Sequence, residues 1–275
     1  MGRRATAALA AVLAVIAGVS AFVPSATRLP QALIFDCDGV LADTERDGHR
    51  PAFNEAFKAK GIDCVWDVDL YGKLLEVGGG KERMTAHWDK VGWPLGITEK
   101  ADKQALVQEL HLLKTDLFNE AIVAGKIPLR PGVLRLVDEA IEQEVPLAVC
   151  STSNERAVSN LVLTLMGRER YERFRIFAGD VVRAKKPQPD IYNLAAEALR
   201  LSPERVIVVE DSGIGLRAAK GAGMPCLVTK SSYTGGENFS LADEVVESLD
   251  DGDVDLQVLG NIVMTSLSKS QAAGA

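Results

Sequence analysis

Cysteine is scarce in this chain and shows no pairing pattern. Its four thiols stand at positions 37, 64, 150 and 226, with no CxxC pair and no zinc-ligand spacing. Cys37, Cys150 and Cys226 lie in or beside apolar, strand-like runs, which reads as buried free thiols rather than a disulfide framework or a metal site. Basic runs are missing too. The net charge is -7, and no cationic stretch offsets it, which argues against a nucleic-acid partner. An anionic ligand would therefore need a local basic pocket. No internal repeat is visible.

What is present is ordinary for a soluble globular protein: 47% hydrophobic and 25% charged residues. A length of 275 residues suits one large domain or a core with a smaller partner. Residues 1–29 read as a cleavable leader. Met1-Gly-Arg-Arg4 is a short basic start, Ala5 to Val19 is almost unbroken apolar sequence, and small residues follow at Ser20-Ala-Phe-Val-Pro24. A membrane anchor is the competing reading, but the stretch is just long enough to span and is broken by Gly18 and Ser20. The Ser-Ala-Phe-Val-Pro run resembles the cleavage motif of bipartite plastid leaders in algae with complex plastids. That implies a plastid stroma location, with a plain secretory signal as the alternative, and a mature protein free of the membrane.

Ala32 to Phe35 is a short apolar run of buried-strand type. From Thr44 to about Lys126 the pattern turns helical, with Ala52, Phe53, Ala56 and Phe57, then Leu106, Leu110, Leu113 and Leu117, at three- and four-residue spacing. Gly78-Gly-Gly80 breaks this region as a glycine-rich loop. After Arg130-Pro-Gly132, strands expected at 145–150, 175–178, 206–209 and 226–229 alternate with helices at 133–144, 157–166, 189–199 and 215–222. Such alternation predicts an α/β fold, a doubly wound parallel sheet with helices on both faces. The expected division is a core over 30–43 and 129–250, a small α-helical cap over 44–128, and a C-terminal tail over 251–275 that ends disordered.

Acidic or hydroxyl residues directly follow three of the strands: Asp36 and Asp38, Ser151, and Glu210-Asp211. In a doubly wound sheet these converge at the carboxyl edge, where such folds bind ligands. One Asp after a strand is commonly a helix cap. Three such sites, with a Lys-Pro between the second and third, are poorly explained that way. Clustered carboxylates repel one another unless a cation sits among them, and oxygen ligands without His or Cys favour Mg²⁺.

These residues resemble the motifs of the haloacid dehalogenase superfamily: Asp36-Cys-Asp38-Gly-Val40, then Ser151, Lys186 before Pro187, and Glu210-Asp211, in order from about Leu33 to Val228. The resemblance implies Asp36 as nucleophile, Asp38 as general acid and base, and Ser151 and Lys186 as holders of the phosphoryl oxygens. It also implies Mg²⁺ held by Asp36, Asp211 and the main-chain carbonyl of Asp38, with Glu210 acting through water.

The helical insert resembles the cap of the β-phosphoglucomutase-like branch. Asp47-Gly-His49-Arg50, Asn54, Trp66-Asp-Val-Asp-Leu-Tyr71, the Gly-Gly-Lys-Glu-Arg83 loop, Arg130-Pro-Gly132 and Cys150-Ser-Thr-Ser-Asn-Glu155 are similar to the CbbY-type family. That likeness implies a monomeric, plastid, Calvin-cycle phosphatase of a small sugar phosphate, xylulose-1,5-bisphosphate. It also implies substrate contacts from Glu45, Gly79, Gly80, Lys81, Glu82, Arg83, Ser151, Thr152, Ser153, Asn154, Glu155, Arg156 and Lys186. Arg130, then Lys114 and His111, are lesser candidates, and His49 reads as a helix-face residue. The second phosphate is expected at Lys81 and Arg83. The rivals are a mutase of the same fold and a non-catalytic phosphosugar binder.

Overall fold

The computed structural model describes residues 29–77, 79–250 and 254–273. Residues 1–28 of the expected leader lie outside them. Among the described residues, no helix is long and apolar enough to cross a membrane.

Six parallel strands form one sheet in the order β3-β2-β1-β4-β5-β6. They are β1 (Ala32–Phe35), β2 (Leu147–Ser151), β3 (Phe174–Ala178), β4 (Val206–Glu210), β5 (Cys226–Thr229) and β6 (Glu244–Val246). The three central strands are buried along their whole length, as continuous apolar runs in a doubly covered sheet must be. Side chains alternate between two cores. Leu33 and Phe35 join one face, and Ala32 and Ile34 join the other.

Between β1 and β2 lies a helical module of α1 (Arg50–Ala59), α2 (Val68–Leu74), α3 (Gly80–Val91) and α4 (Lys100–Val123). A π-helical turn, Glu45–His49, leads into α1. The module has its own core of Phe53, Phe57, Trp66, Tyr71, Met84, Trp88 and Leu110. At its base Ala52, Phe118, Ile122 and Ile127 join the cluster on one sheet face, so the module is seated on the sheet layer.

The remaining helices are α5 (Val133–Glu142), α6 (Glu155–Met166), α7 (Arg168–Tyr171), α8 (Asp190–Leu199), α9 (Gly213–Gly221) and α10 (Leu256–Ala273). Two features depart from the sequence reading. The tail contains α10, with Leu256, Leu259 and Val263 buried against α5 and the sheet, so that stretch is ordered core material. The sheet also carries β6, a three-residue edge strand whose first two residues, Glu244 and Val245, are exposed. So short and charged an element leaves little periodic signal.

Candidate active site

The carboxyl ends of β1, β2 and β4 lie side by side at the centre of the sheet, and each delivers polar side chains to one place. Asp36, Glu210 and Asp211 are buried, and one carboxylate oxygen of each lies within 4.8 Å of the others. Gly39, one turn past Asp36, has φ +86°, and a Cβ there would overlap the Asp211 carboxylate. Gly215 gives the same clearance to Glu210. Only glycine lets backbone approach these carboxylates so closely.

Lys186 spans the cluster. Its ammonium donates to Asp36 Oδ1 at 2.5 Å, to Glu210 Oε1 at 2.6 Å and to the Cys150 carbonyl at 3.0 Å. Burial works against its charge, but the two carboxylates outweigh that and hold its pKa above the ordinary lysine value. Burial pushes Asp36 up to about 7; Lys186 opposes the rise, while Glu210 and Asp38 add to it. Asp211 is also pushed well up, by burial first and then by Glu210 and Asp36. Fully ionised, three carboxylates against one ammonium would leave two uncompensated negative charges in a buried, all-oxygen set, and burial of that excess is what raises Asp36 and Asp211. A hard divalent cation fits that donor chemistry.

Glu210 is the most fully engaged of the three. Besides Lys186 it accepts from the Tyr192 hydroxyl at 2.6 Å, the Asp211 amide at 3.2 Å and Ser212 Oγ at 3.4 Å. Its oxygens are thus largely taken up by protein donors, Lys186 among them. The Asp38 carboxylate faces away from this cluster. It accepts from Thr44 Oγ1 and Ser153 Oγ, each at 2.6 Å, and from Ser151 Oγ at 3.4 Å. Of Asp38, then, only the main chain is left for a cation in that cluster.

A cleft of about 730 Å³ opens beside Asp38, between the helical module and α6. Its polar lining includes the charged Asp38, Lys114, Glu120 and Arg156 along with His49, Ser153 and Asn154. Lys114 Nζ lies 2.8 Å from His49 Nδ1 and over the rings of Phe53 and Phe118. Burial lowers Lys114 to about 8, against the pull of Glu45, and burial with Lys114 nearby drives His49 far below its usual pKa. His49 is therefore neutral, able to accept a hydrogen bond from the Lys114 ammonium. It is a partly buried partner of Lys114 on the cleft wall rather than a plain helix-face residue. Asn154 caps α6 by accepting from the Arg156 amide at 3.0 Å. Thr152 and Glu155, on the same turn, are exposed and do not line this cleft.

The expected second anion site is not assembled as one unit. The glycine-rich segment starts a helix: Gly79, φ +90°, caps α3, which begins at Gly80. Lys81 and Arg83 are two residues apart on that helix and leave it on opposite sides. Lys81 bonds Gln108 at 3.4 Å and, with Glu82, lines a separate groove on the outer face of the module. Arg83 is buried, donating to the Leu74 carbonyl at 3.1 Å and the Tyr71 hydroxyl at 2.8 Å. Gly80 backs onto Phe53 and His111. Glu45 accepts from Tyr71 at 2.6 Å and lies 3.8 Å from Arg83. Arg130 spends its bonds on the carbonyls of Gly39, Thr229, Lys230 and Glu247, lacing the loops at the sheet edge.

Thr44, Tyr71 and Tyr192 reach the site without having been expected there. Thr44 is the N-cap residue of the polar π-helical turn, and Tyr71 and Tyr192 lie within α2 and α8, where a hydroxyl carries no periodic signal.

The chain belongs to the haloacid dehalogenase-like hydrolases, whose family profile matches residues 30–223, and it is an enzyme of the phosphatase type. Its relatives narrow the branch. It is 57% identical to a CBBY-like protein of Arabidopsis thaliana over 82% of this chain and 72% of that one. Identity to protein CbbY of Cereibacter sphaeroides is 42%, over 79% and 92%. A crystal structure of mutant CbbY from Rhodobacter sphaeroides in complex with xylulose-(1,5)bisphosphate superposes with a TM-score of 0.66. The two are 40% identical, and the match covers 81% of this chain and 96% of that one.

Proposed function

We propose that the chain is a magnesium-dependent phosphatase of a ketose bisphosphate, xylulose-1,5-bisphosphate, working through an aspartyl-phosphate on Asp36. One observation carries this reading. The cleft beside the acidic cluster holds two further cations, Lys114 and Arg156, on the same wall system as Asp38 and Ser153. A bisphosphate needs one anion site for the reacting phosphoryl group and another for the remaining phosphate. Lys186 and Ser151 serve the first; Lys114 and Arg156 serve the second. The complex of the CbbY relative with that same bisphosphate supports the choice of sugar.

In the first step an Asp36 oxygen attacks phosphorus, the ester P–O bond breaks, and protonated Asp38 gives its proton to the leaving sugar oxygen. In the second, water attacks the phosphorus of the aspartyl-phosphate while Asp38 takes a proton from it, and Asp36 and inorganic phosphate are released. Thr44 and Ser153 hold Asp38 in place for both transfers. Asp36, Asp211 and the main-chain carbonyl of Asp38 would hold Mg²⁺, with Glu210 acting through water. When bound, the ion offsets charge on the transferring group. Glu45 contacts the sugar from the helical module. The leader-like sequence of residues 1–29 and the plant relative support a plastid location for the mature enzyme, which we take to be a monomer.

Phosphate release across sugar mono- and bisphosphates, with Mg²⁺ or with EDTA, tests the proposal. Xylulose-1,5-bisphosphate should lead the series, and EDTA should abolish turnover. Conversion of β-glucose 1-phosphate to glucose 6-phosphate without free phosphate would establish the mutase instead.

A further inference from the structure

The loop after β5 leaves the sheet at Lys230 and meets the helical module at its tip. Ser231 to Thr234 form a tight turn. The Ser231 amide donates to Thr234 Oγ1 at 3.0 Å, and the Thr234 amide returns to the Ser231 carbonyl at 3.3 Å. The core side of this turn is tied down twice. Ser231 stands beside Asp211 of the acidic cluster. Ser232 donates to Asp43 Oδ2 from its amide at 3.2 Å and its hydroxyl at 2.5 Å.

Tyr233 points the other way. Its ring meets Tyr71 of α2 edge-on, with centroids 5.7 Å apart. It also lies flush against Gly72, where a single added carbon would come within 3.2 Å of the ring. The Tyr233 hydroxyl is shielded and faces the Arg50 guanidinium without a well-formed hydrogen bond, so the ring makes the contact. Behind that contact, Tyr71 holds Glu45 at 2.6 Å and receives Arg83 at 2.8 Å.

We propose that Tyr233 is a positioning residue: a latch carried by the core that seats Tyr71 and, through it, orients Glu45 toward the sugar. The turn thereby joins Asp211 at one end to a substrate contact in the helical module at the other. The inference rests on the reading of Glu45 as a substrate contact.

Three variants of the full chain test it. Tyr233→Ala removes the ring, and Gly72→Ala pushes it away from the other side. Each should raise KM for xylulose-1,5-bisphosphate by about tenfold while kcat for p-nitrophenyl phosphate stays within about twofold. The double variant should be no worse than the single ones, because both break the same contact. Tyr233→Phe keeps the ring and should restore the wild-type KM. In the free protein, hydrogen exchange of α2 should speed up in Tyr233→Ala while α4 keeps its protection. A wild-type KM with unchanged α2 exchange in Tyr233→Ala overturns the latch. Equal losses on both substrates with a lower melting temperature overturn it too, by making Tyr233 a general packing residue. If the wild-type protein hydrolyses p-nitrophenyl phosphate but ignores the bisphosphate, the substrate reading fails, and exchange in α2 still decides the latch.

Discussion

Lys186 is the residue on which the site's electrostatics turn, because it sits between Asp36 and Glu210 with almost no solvent to share the charge. Its removal would leave two buried carboxylates unpaired, a change that typically costs about 3 kcal/mol or more. Lys186→Ala should therefore lose about that much stability in metal-free urea denaturation, as well as activity. Lys114 makes a different prediction. With its pKa near 8 it is charged below that pH and neutral above it. Binding of a second phosphate should weaken as pH rises through about 8, so kcat/KM for the bisphosphate falls there. The inflection should vanish in Lys114→Met, and KM should rise by about tenfold or more, while p-nitrophenyl phosphate turnover changes far less. Asp36, Ser151, Glu210 and Asp211 were legible in the sequence because a strand end fixes where its next residue points, whereas Lys186 comes from the loop between β3 and α8 and was expected only from the family resemblance. Lys81 and Arg83 were not, since their directions depend on where α3 begins, and one residue of offset turns a helical side chain by 100°. Lys114 owes its place to the seating of α4 over α6, a tertiary fact with no local pattern.

Among the elements, α10 most changes the picture of the chain. Its buried residues 256, 259 and 263 follow helical spacing, but the acidic run Asp250 to Asp253 before it and the small residues after it mask that signal. Leu259→Ala should cost about 3 kcal/mol in thermal or urea unfolding, as expected for a fully buried leucine, whereas Gln257→Ala on the exposed face should cost nothing measurable. Comparable small effects from both would mean that α10 is a loosely attached tail. The π-helical turn Glu45–His49 was likewise hidden. It places Glu45 at Tyr71 and His49 at Lys114, and so short a polar stretch carries no period that would distinguish a π-turn from an ordinary helix.

At the scale of the whole molecule, the parallel sheet with its inserted helical module was readable from alternating apolar runs, because each strand in such a sheet is buried on both faces. The cleft between module and sheet was not, since no single segment owns it. Although the chain carries a net charge of -7, that cleft brings Lys114 and Arg156 together with Asp38 and Glu120, and on the proposed reading the two cations receive the second phosphate. The most direct measurement is to quench turnover of phosphorus-labelled xylulose-1,5-bisphosphate in acid and locate the label by peptide mapping. Phosphate should appear on the peptide bearing Asp36, formed only with Mg²⁺ and absent from Asp36→Asn, which should also release no phosphate. Label on another residue, or an Asp36→Asn variant that turns over at the wild-type rate, would contradict Asp36 as the nucleophile.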